Sequence, residues 1–259
     1  MGAVNTIGLF TLVKKEVGRF LNVYMQTIIA PLVTLLLYFL VFAVAFGESA
    51  PMTGIWDKMK YLSFLGPGLL MMTMTQNAFA NTSSSLVIAK VQGNIVDLLM
   101  PPLSPFELVA GMLAGSVIRA FIIGILGSIC LYVFAGVSVQ HIGWVVAFGL
   151  MGALMLASLG ILAGLWAEKF DHVASVTNFI VTPLTFLSGT FYSIERLTPV
   201  WQDLAHINPF FFIIDGFRYG FLGVSDAPPM LGIAVLSGIT LFLAVLCWLM
   251  VKTGYRIKA

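Results

Sequence analysis

Charged residues cut this chain into long uncharged stretches. Apolar windows without a single Asp, Glu, Lys or Arg run over 25–46, 61–89, 120–167, 173–194 and 227–251. A membrane-spanning helix needs about 20 predominantly apolar residues, and every window supplies them. The window 120–167 is long enough for two helices and breaks at the polar, β-branched stretch Gly136-Val137-Ser138-Val139-Gln140-His141. The pattern therefore predicts an all-α integral membrane protein of six spans, at 25–46, 61–87, 106–135, 142–167, 173–194 and 228–251. The first window lies too deep in the chain, and is too long, for a cleavable signal peptide.

Two stretches outside the windows have helical period with a polar face. Residues 4–22 carry Phe10, Val13, Val17 and Phe20 at three- and four-residue spacing, with Lys15 and Arg19 opposite. Such a helix lies in the interface plane. Residues 88–100 place Ile88, Val91, Ile95 and Leu98 on one stripe and Lys90, Asn94 and Asp97 on the other, until Pro101-Pro102 stops the helix.

Charge sets the orientation. With the N-terminus inside, Lys14, Lys15, Arg19, Lys90, Lys169, Lys252, Arg256 and Lys258 fall on the cytoplasmic side, against Lys58, Lys60, Arg196 and Arg218 outside. Eight against four favours that arrangement, and two basic termini require an even number of crossings. The apolar stretch 207–224 would make a seventh, so 195–226 is expected to be a re-entrant or interfacial helical hairpin on the outer face. There Asp215 and Arg218, three residues apart, could pair. Arg119 is expected near the inner boundary, its head snorkelling to lipid headgroups.

Composition agrees: 59% of the 259 residues are hydrophobic and 9% charged, where a soluble domain carries roughly 25% charged. A net charge of +2 gives no case for nucleic acid. Cys130 and Cys247 lie in apolar runs and read as buried hydrophobes. Walker A spacing, H-E-x-x-H, C-x-x-C and a nucleophile elbow are all absent, His141, His172 and His206 lack metal-ligand spacing, and the windows hold no acid for ion coupling. The chemistry points to moving something, not reacting it. Gly111/Gly115, Gly160/Gly164 and Gly216/Gly220 are expected to pack helices within the chain, and Gly66-Pro67-Gly68 and Pro183 to kink theirs.

The segments FLGPGLLMMTMTQNAFANTSSS (64–85), KVQGNIVDLLMPPLSPFELVAGMLAG (90–115), VTPLTFLSGTFYSIERLTP (181–199) and HINPFFFIIDGFRYGFLG (206–223) resemble permease subunits of the ABC-2 type exporter family, closest to its YadH-like branch. The resemblance covers essentially the whole chain. It implies the type V exporter fold: an N-terminal interfacial helix, six spans, a cytoplasmic coupling helix at 88–100 that docks on a separate ABC ATPase, and a re-entrant hairpin before the last span. ATP and Mg would sit on the ATPase, with no cofactor on this chain, and two permease copies would stand on two ATPase subunits.

On that reading Lys90, Gln92, Gly93, Asn94, Asp97 and Leu98 are the candidate coupling residues. Lys14, Lys15, Glu16 and Arg19 are candidates for the same partner or for membrane lipid phosphates. Asn208, Pro209, Phe210, Asp215 and Arg218 would form an outer gate. Met71, Met72, Met74, Phe79, Phe186, Phe191 and Tyr192 are candidates for lining a cargo pathway, with plain packing as the other reading. Cargo in this family ranges from O-antigen and teichoic-acid chains to nodulation glycolipids and drugs. Here Phe 21 against Tyr 7 and Trp 5 tilts the expectation toward an amphipathic, lipidic or drug-like cargo and away from a bare polysaccharide chain. A bacterial inner-membrane exporter is the leading reading. A non-transporting membrane scaffold or assembly subunit, or a polysaccharide-chain exporter, is the alternative.

Overall fold

A computed structural model describes residues 5–46 and 60–256; residue 4 of the expected interfacial helix, Lys58 and Lys258 lie outside them. Among the described residues the regular structure is helical: α1 (Thr6–Leu21), a π turn (Met25–Ile29) leading into α2 (Ala30–Phe46), α3 (Tyr61–Val91), α4 (Ile95–Leu99), α5 (Pro105–Ala135) and α6 (Ile142–Trp166). These are followed by α7 (Phe170–Val176), a second π turn (Thr177–Val181), α8 (Thr182–Phe186), α9 (Pro199–Ile207), α10 (Pro209–Leu222) and α11 (Pro229–Thr253). Among the described residues, four stretches are long and apolar enough to cross a bilayer: Met25–Phe46, Pro105–Ala135, Ile142–Trp166 and Pro229–Thr253.

Local chemistry sets the ends of these helices. Ser104 and Glu107 form a capping box at the start of α5, Pro105 occupies its first turn, and left-handed Gly136 closes it. Helix α11 likewise opens on Pro229 and ends at left-handed Gly254. The two π turns share a cause. Each lies just ahead of a proline, Pro31 or Pro183, which has no N–H to return to the carbonyl four residues back, so the ladder widens upstream.

The region expected as a span at 173–194 differs for this reason. Its helix starts earlier, at Phe170, runs through the π turn and stops at Phe186. A turn with Gly189 at φ +75° and a 3-10 helix (Ile194–Arg196) replace the end of the expected span.

Helix α3 is the most polar of the long helices and sits at the centre, packed on α2, α5, α6 and α10. Its polar groups find partners inside the bundle, as burial demands: the Thr82 hydroxyl donates to Ala157 O at 2.8 Å and Asn81 Nδ2 to Ser116 Oγ at 3.0 Å. Each of the paired glycines receives a neighbouring element. A Cβ at Gly115 would lie 2.6 Å from the Glu16 Cβ of α1, one at Gly164 2.9 Å from Leu86 Cβ of α3, and one at Gly220 2.5 Å from the Val145 side chain of α6. Small residues here let helix backbones approach within the chain.

Candidate functional site

The stretch 88–100 is not one helix. Helix α3 continues to Val91 and is ended by Gly93, whose φ of +75° is the left-handed conformation glycine adopts at low cost. Gly93 N–H donates to Lys90 O at 3.0 Å, and the chain restarts as α4. The break takes Val91 off the expected stripe and leaves it 53% exposed. Ile95 and Leu98 instead turn into a small apolar core with Leu12, Leu86, Leu108 and Met112. Between those anchors Gln92, Gly93, Asn94 and Asp97 stand exposed, and a Cβ at Gly93 would meet nothing within 4 Å.

Two of the candidate coupling residues face inward. Leu98 is buried in the small core. Lys90 is buried too, its Nζ donating to Leu165 O and, at 3.1 Å, to Ala167 O. A cation on the last carbonyls of a helix opposes the negative end of its dipole, so Lys90 ties α3 to the end of α6 and offers no surface to a partner.

Helix α1 is also turned from its expected setting. Its buried positions are Leu12, Glu16 and Phe20, while Phe10 is 70% exposed. The glycines of α5 explain the rotation: Leu12 and Glu16 lie directly over Gly111 and Gly115. Lys14 and Lys15 remain exposed. Glu16 and Arg19 do not form a free surface, because both are used inside the bundle. Glu16 accepts from Ser85 Oγ at 2.8 Å and pairs with Arg19 at 3.1 Å. Arg19 donates to Asn81 O at 2.7 Å, Asn81 Oδ1 at 3.0 Å and Ser84 Oγ at 3.2 Å.

The network goes on to α5. Arg119 donates to Asn81 Oδ1 at 3.5 Å and Asn77 Oδ1 at 2.6 Å. The side chain expected to snorkel is thus 6% exposed and held by amides of α3, which replace lipid headgroups as its partners. Asn77, Asn81, Ser85 and Ser116 are functional candidates that a search for charges passes over. Their signal is the four-residue spacing of 77, 81 and 85, which puts three polar groups on one face of α3.

At the Tyr61 end of α3 the candidate gate residues are packed solid. Asn208 closes α9 and caps α10, accepting from Phe210 N at 3.0 Å and donating to Leu184 O at 2.7 Å. Pro209 opens α10 and Phe210 is buried beside it. Asp215 and Arg218 take up different partners. Asp215 accepts from Asp226 N at 2.9 Å and Ala227 N at 3.0 Å, clasping the loop before α11. Arg218 donates to Phe64 O at 3.1 Å and Gly189 O at 2.9 Å, with its guanidinium 3.7 Å from the centre of the Phe64 ring. The expected local pair is instead two clasps pointing to different elements.

The candidate lining residues do not share a surface. Met71, Met74 and Phe79 are core residues of this one chain, at most 2% exposed; the centrality of α3 puts them there. Met72 borders a groove with Gln26, Thr34 and Tyr38. Phe186 and Phe191 stack 5.0 Å apart, Phe191 stacks on Phe42 at 5.2 Å, and Tyr192 Oη donates to Phe186 O at 3.3 Å. This aromatic group lies apart, where α2 meets the turn after α8.

Comparison with known proteins adds the family. The sequence pattern described as ABC-2 type transporter matches residues 8–222. The chain is 36% identical over 245 residues to the inner membrane transport permease YadH of Escherichia coli (strain K12), covering 95% of this chain and 94% of that one. It is 25% identical over 197 residues to nodulation protein J of Neorhizobium galegae (76% and 71%). To nodulation protein J of Sinorhizobium fredii (strain NBRC 101917 / NGR234) it is 23% identical over 207 residues (80% and 75%). With its long apolar helices, the chain therefore belongs to the ABC-2 type transporter family, as a membrane transport permease of the bacterial inner membrane.

Proposed function

We propose that this permease is the membrane half of an ATP-driven exporter. Two copies stand on two copies of a separate ABC ATPase that carries the ATP and Mg. Both termini are cytoplasmic, α1 lies at the inner interface, and the six expected spans cross the membrane. Gln92–Asn94 and α4 receive the push of the ATPase. Two ATPase subunits closing on nucleotide need two levers, and this chain carries one, so a two-fold pair of permeases satisfies the symmetry.

The reading rests on the knuckle at the Val91 end of α3. Gln92, Gly93, Asn94 and Asp97 are exposed while Ile95 and Leu98 are buried against α1 and α5. A polar tip on an apolar root can be pushed without being detached. Displacement there is carried along α3, through Lys90 to α6 and through Glu16, Arg19 and Arg119 to α1 and α5. At the other end α3 meets α10 through Arg218, so α9 and α10 are placed to act as an outer gate. The cargo is an amphipathic, lipidic, glycolipid-like or drug-like molecule passing at the two-fold interface.

The decisive experiment is co-purification with the ABC ATPase followed by vanadate-sensitive ATP hydrolysis in nanodiscs. Asp97→Arg and Gly93→Trp should each abolish co-purification and lower cargo-stimulated hydrolysis at least tenfold, with the permease itself still folded. Retained assembly and hydrolysis in both variants would overturn the coupling role.

A further inference from the structure

One cavity, of 380 Å³, is lined almost wholly by apolar side chains, including Met74, Phe121, Ile125 and Val145. A second one is chemically unlike it. It is a groove of 290 Å³ between α2 and α3, bordered by Gln26, Thr34, Tyr38, Thr73, Gln76 and Asn77. Gln76 lies halfway along α3, so on the transport reading the groove sits at hydrocarbon depth. Polar side chains at that depth face protein, water or a ligand, and seldom lipid tails.

The hydrogen bonds identify what the groove lacks. Thr34 and Thr73 return their hydroxyls to their own helices, at Ala30 O and Leu69 O. Asn77 Nδ2 donates to Thr73 O at 2.9 Å. Among the described residues, nothing partners the side-chain amides of Gln26 and Gln76 or the Tyr38 hydroxyl. Behind this wall, one hydrogen bond away through Asn77, stands Arg119. Among the described residues its Nε has no acceptor. The network containing it holds two guanidinium groups, Arg19 and Arg119, against the single carboxylate of Glu16. One positive charge is left over, directly behind a row of neutral donors.

We propose that this groove binds the anionic headgroup of an amphiphile, and so turns the α2–α3 face of each subunit toward the cargo path. The inference deepens the transport reading above and names its ligand chemistry. The amides of Gln26 and Gln76 and the Tyr38 hydroxyl donate to the phosphate or carboxylate oxygens. Arg119, acting through Asn77, supplies the field that prefers an anion over a zwitterion. Arg119 is a positioning residue here, since Asn77 stands between it and the ligand.

The test needs the purified, delipidated permease alone, with no ATPase, so a failure of the coupling reading leaves its result intact. Native mass spectrometry would count bound dioleoyl phosphatidylglycerol and dioleoyl phosphatidylcholine. The parent chain should prefer phosphatidylglycerol. Gln76→Glu should weaken that lipid by about tenfold or more, as a like charge close to the anion would, and leave phosphatidylcholine unchanged. Gln76→Lys should strengthen phosphatidylglycerol, which keeps the test decisive if the glutamate variant folds poorly. Competition by inorganic phosphate would show that the anion alone is recognised, and its failure would assign recognition to the whole lipid. Equal binding of both lipids by the parent, or phosphatidylglycerol binding that neither Gln76 variant changes, would overturn the proposal.

Discussion

The two ends of α3 are held by different chemistry. At the Tyr61 end a single buried guanidinium, Arg218, reaches backbone carbonyls on two other segments, Phe64 O and Gly189 O, and lies over the Phe64 ring. The packing there is close: a Cβ on Gly68 would lie 2.9 Å from Arg218 Nη2 and 3.0 Å from Thr190 O. Pro67 sits in the same turn, so the carbonyls nearby lie where the helix ladder is weakest. At the Val91 end Lys90 also clasps backbone carbonyls, Leu165 O and Ala167 O, but most of the bonds run from side chain to side chain, through Glu16, Arg19, Asn81 and Arg119, and the final loop has open space around it. Backbone clasps fix one geometry, whereas side-chain networks can exchange partners as helices slide. The contrast fits a lever whose handle is adjustable and whose far end is pinned.

The largest effect should follow from cutting the pin. Arg218→Met keeps the bulk of the side chain but removes the donors to both carbonyls and the cation that acts electrostatically on Asp215. Breaking a buried, hydrogen-bonded charge costs about 3–5 kcal/mol. In a chain of this size that is a fall of roughly 10 °C in Tm, measurable by thermal unfolding in detergent. A loss of only a degree or two would mean that the Tyr61 end is no better fixed than the other.

A smaller loss is expected in the network. Glu16→Gln leaves Arg19 without its carboxylate but keeps a hydrogen-bond acceptor for Ser85. Bonds to charged groups are worth about 1.5–3 kcal/mol, so the stability cost should be near 2. A double-mutant cycle sharpens the comparison. Glu16→Gln and Asn81→Leu share Arg19 and should be non-additive by roughly 1 kcal/mol, whereas Glu16→Gln and Arg218→Met, at opposite ends of α3, should add to within about 0.5. Strong coupling between the ends would dissolve the distinction.

How much of this could be read from the sequence depends on what each contact is made of. Helix ends marked by Ser104, Pro105 and Gly136, or by Pro229 and Gly254, carry their reason in the residue type and stand close to where the pattern puts them. The polar face of α3 was equally visible as Asn77, Asn81 and Ser85 at four-residue spacing, but counting charges alone passes over neutral amides. The clasps were not visible. Arg218 bonds a carbonyl 154 positions away, and Lys90 one 75 positions away. Every residue has a carbonyl, so such partners leave no trace in side-chain identity. The same holds for the rotation of α1, which depends on Gly111 and Gly115 of a different helix.

The smallest effect belongs to the open end and isolates backbone strain from packing. Gly93 has a φ of +75° and open space where a Cβ would be. Gly93→Ala therefore pays only for the left-handed backbone, about 1–2 kcal/mol. Gly93→Asn should lose less, because its short polar side chain tolerates that conformation. Unfolding both variants beside the Arg218→Met protein ranks the three directly. The asparagine variant also serves as the control for Gly93→Trp, since it changes the knuckle's surface with little strain and little bulk. If Gly93→Ala proved as damaging as Arg218→Met, the Val91 end would have to be as tightly constrained as the pinned end, and a handle free to be pushed could not lie there.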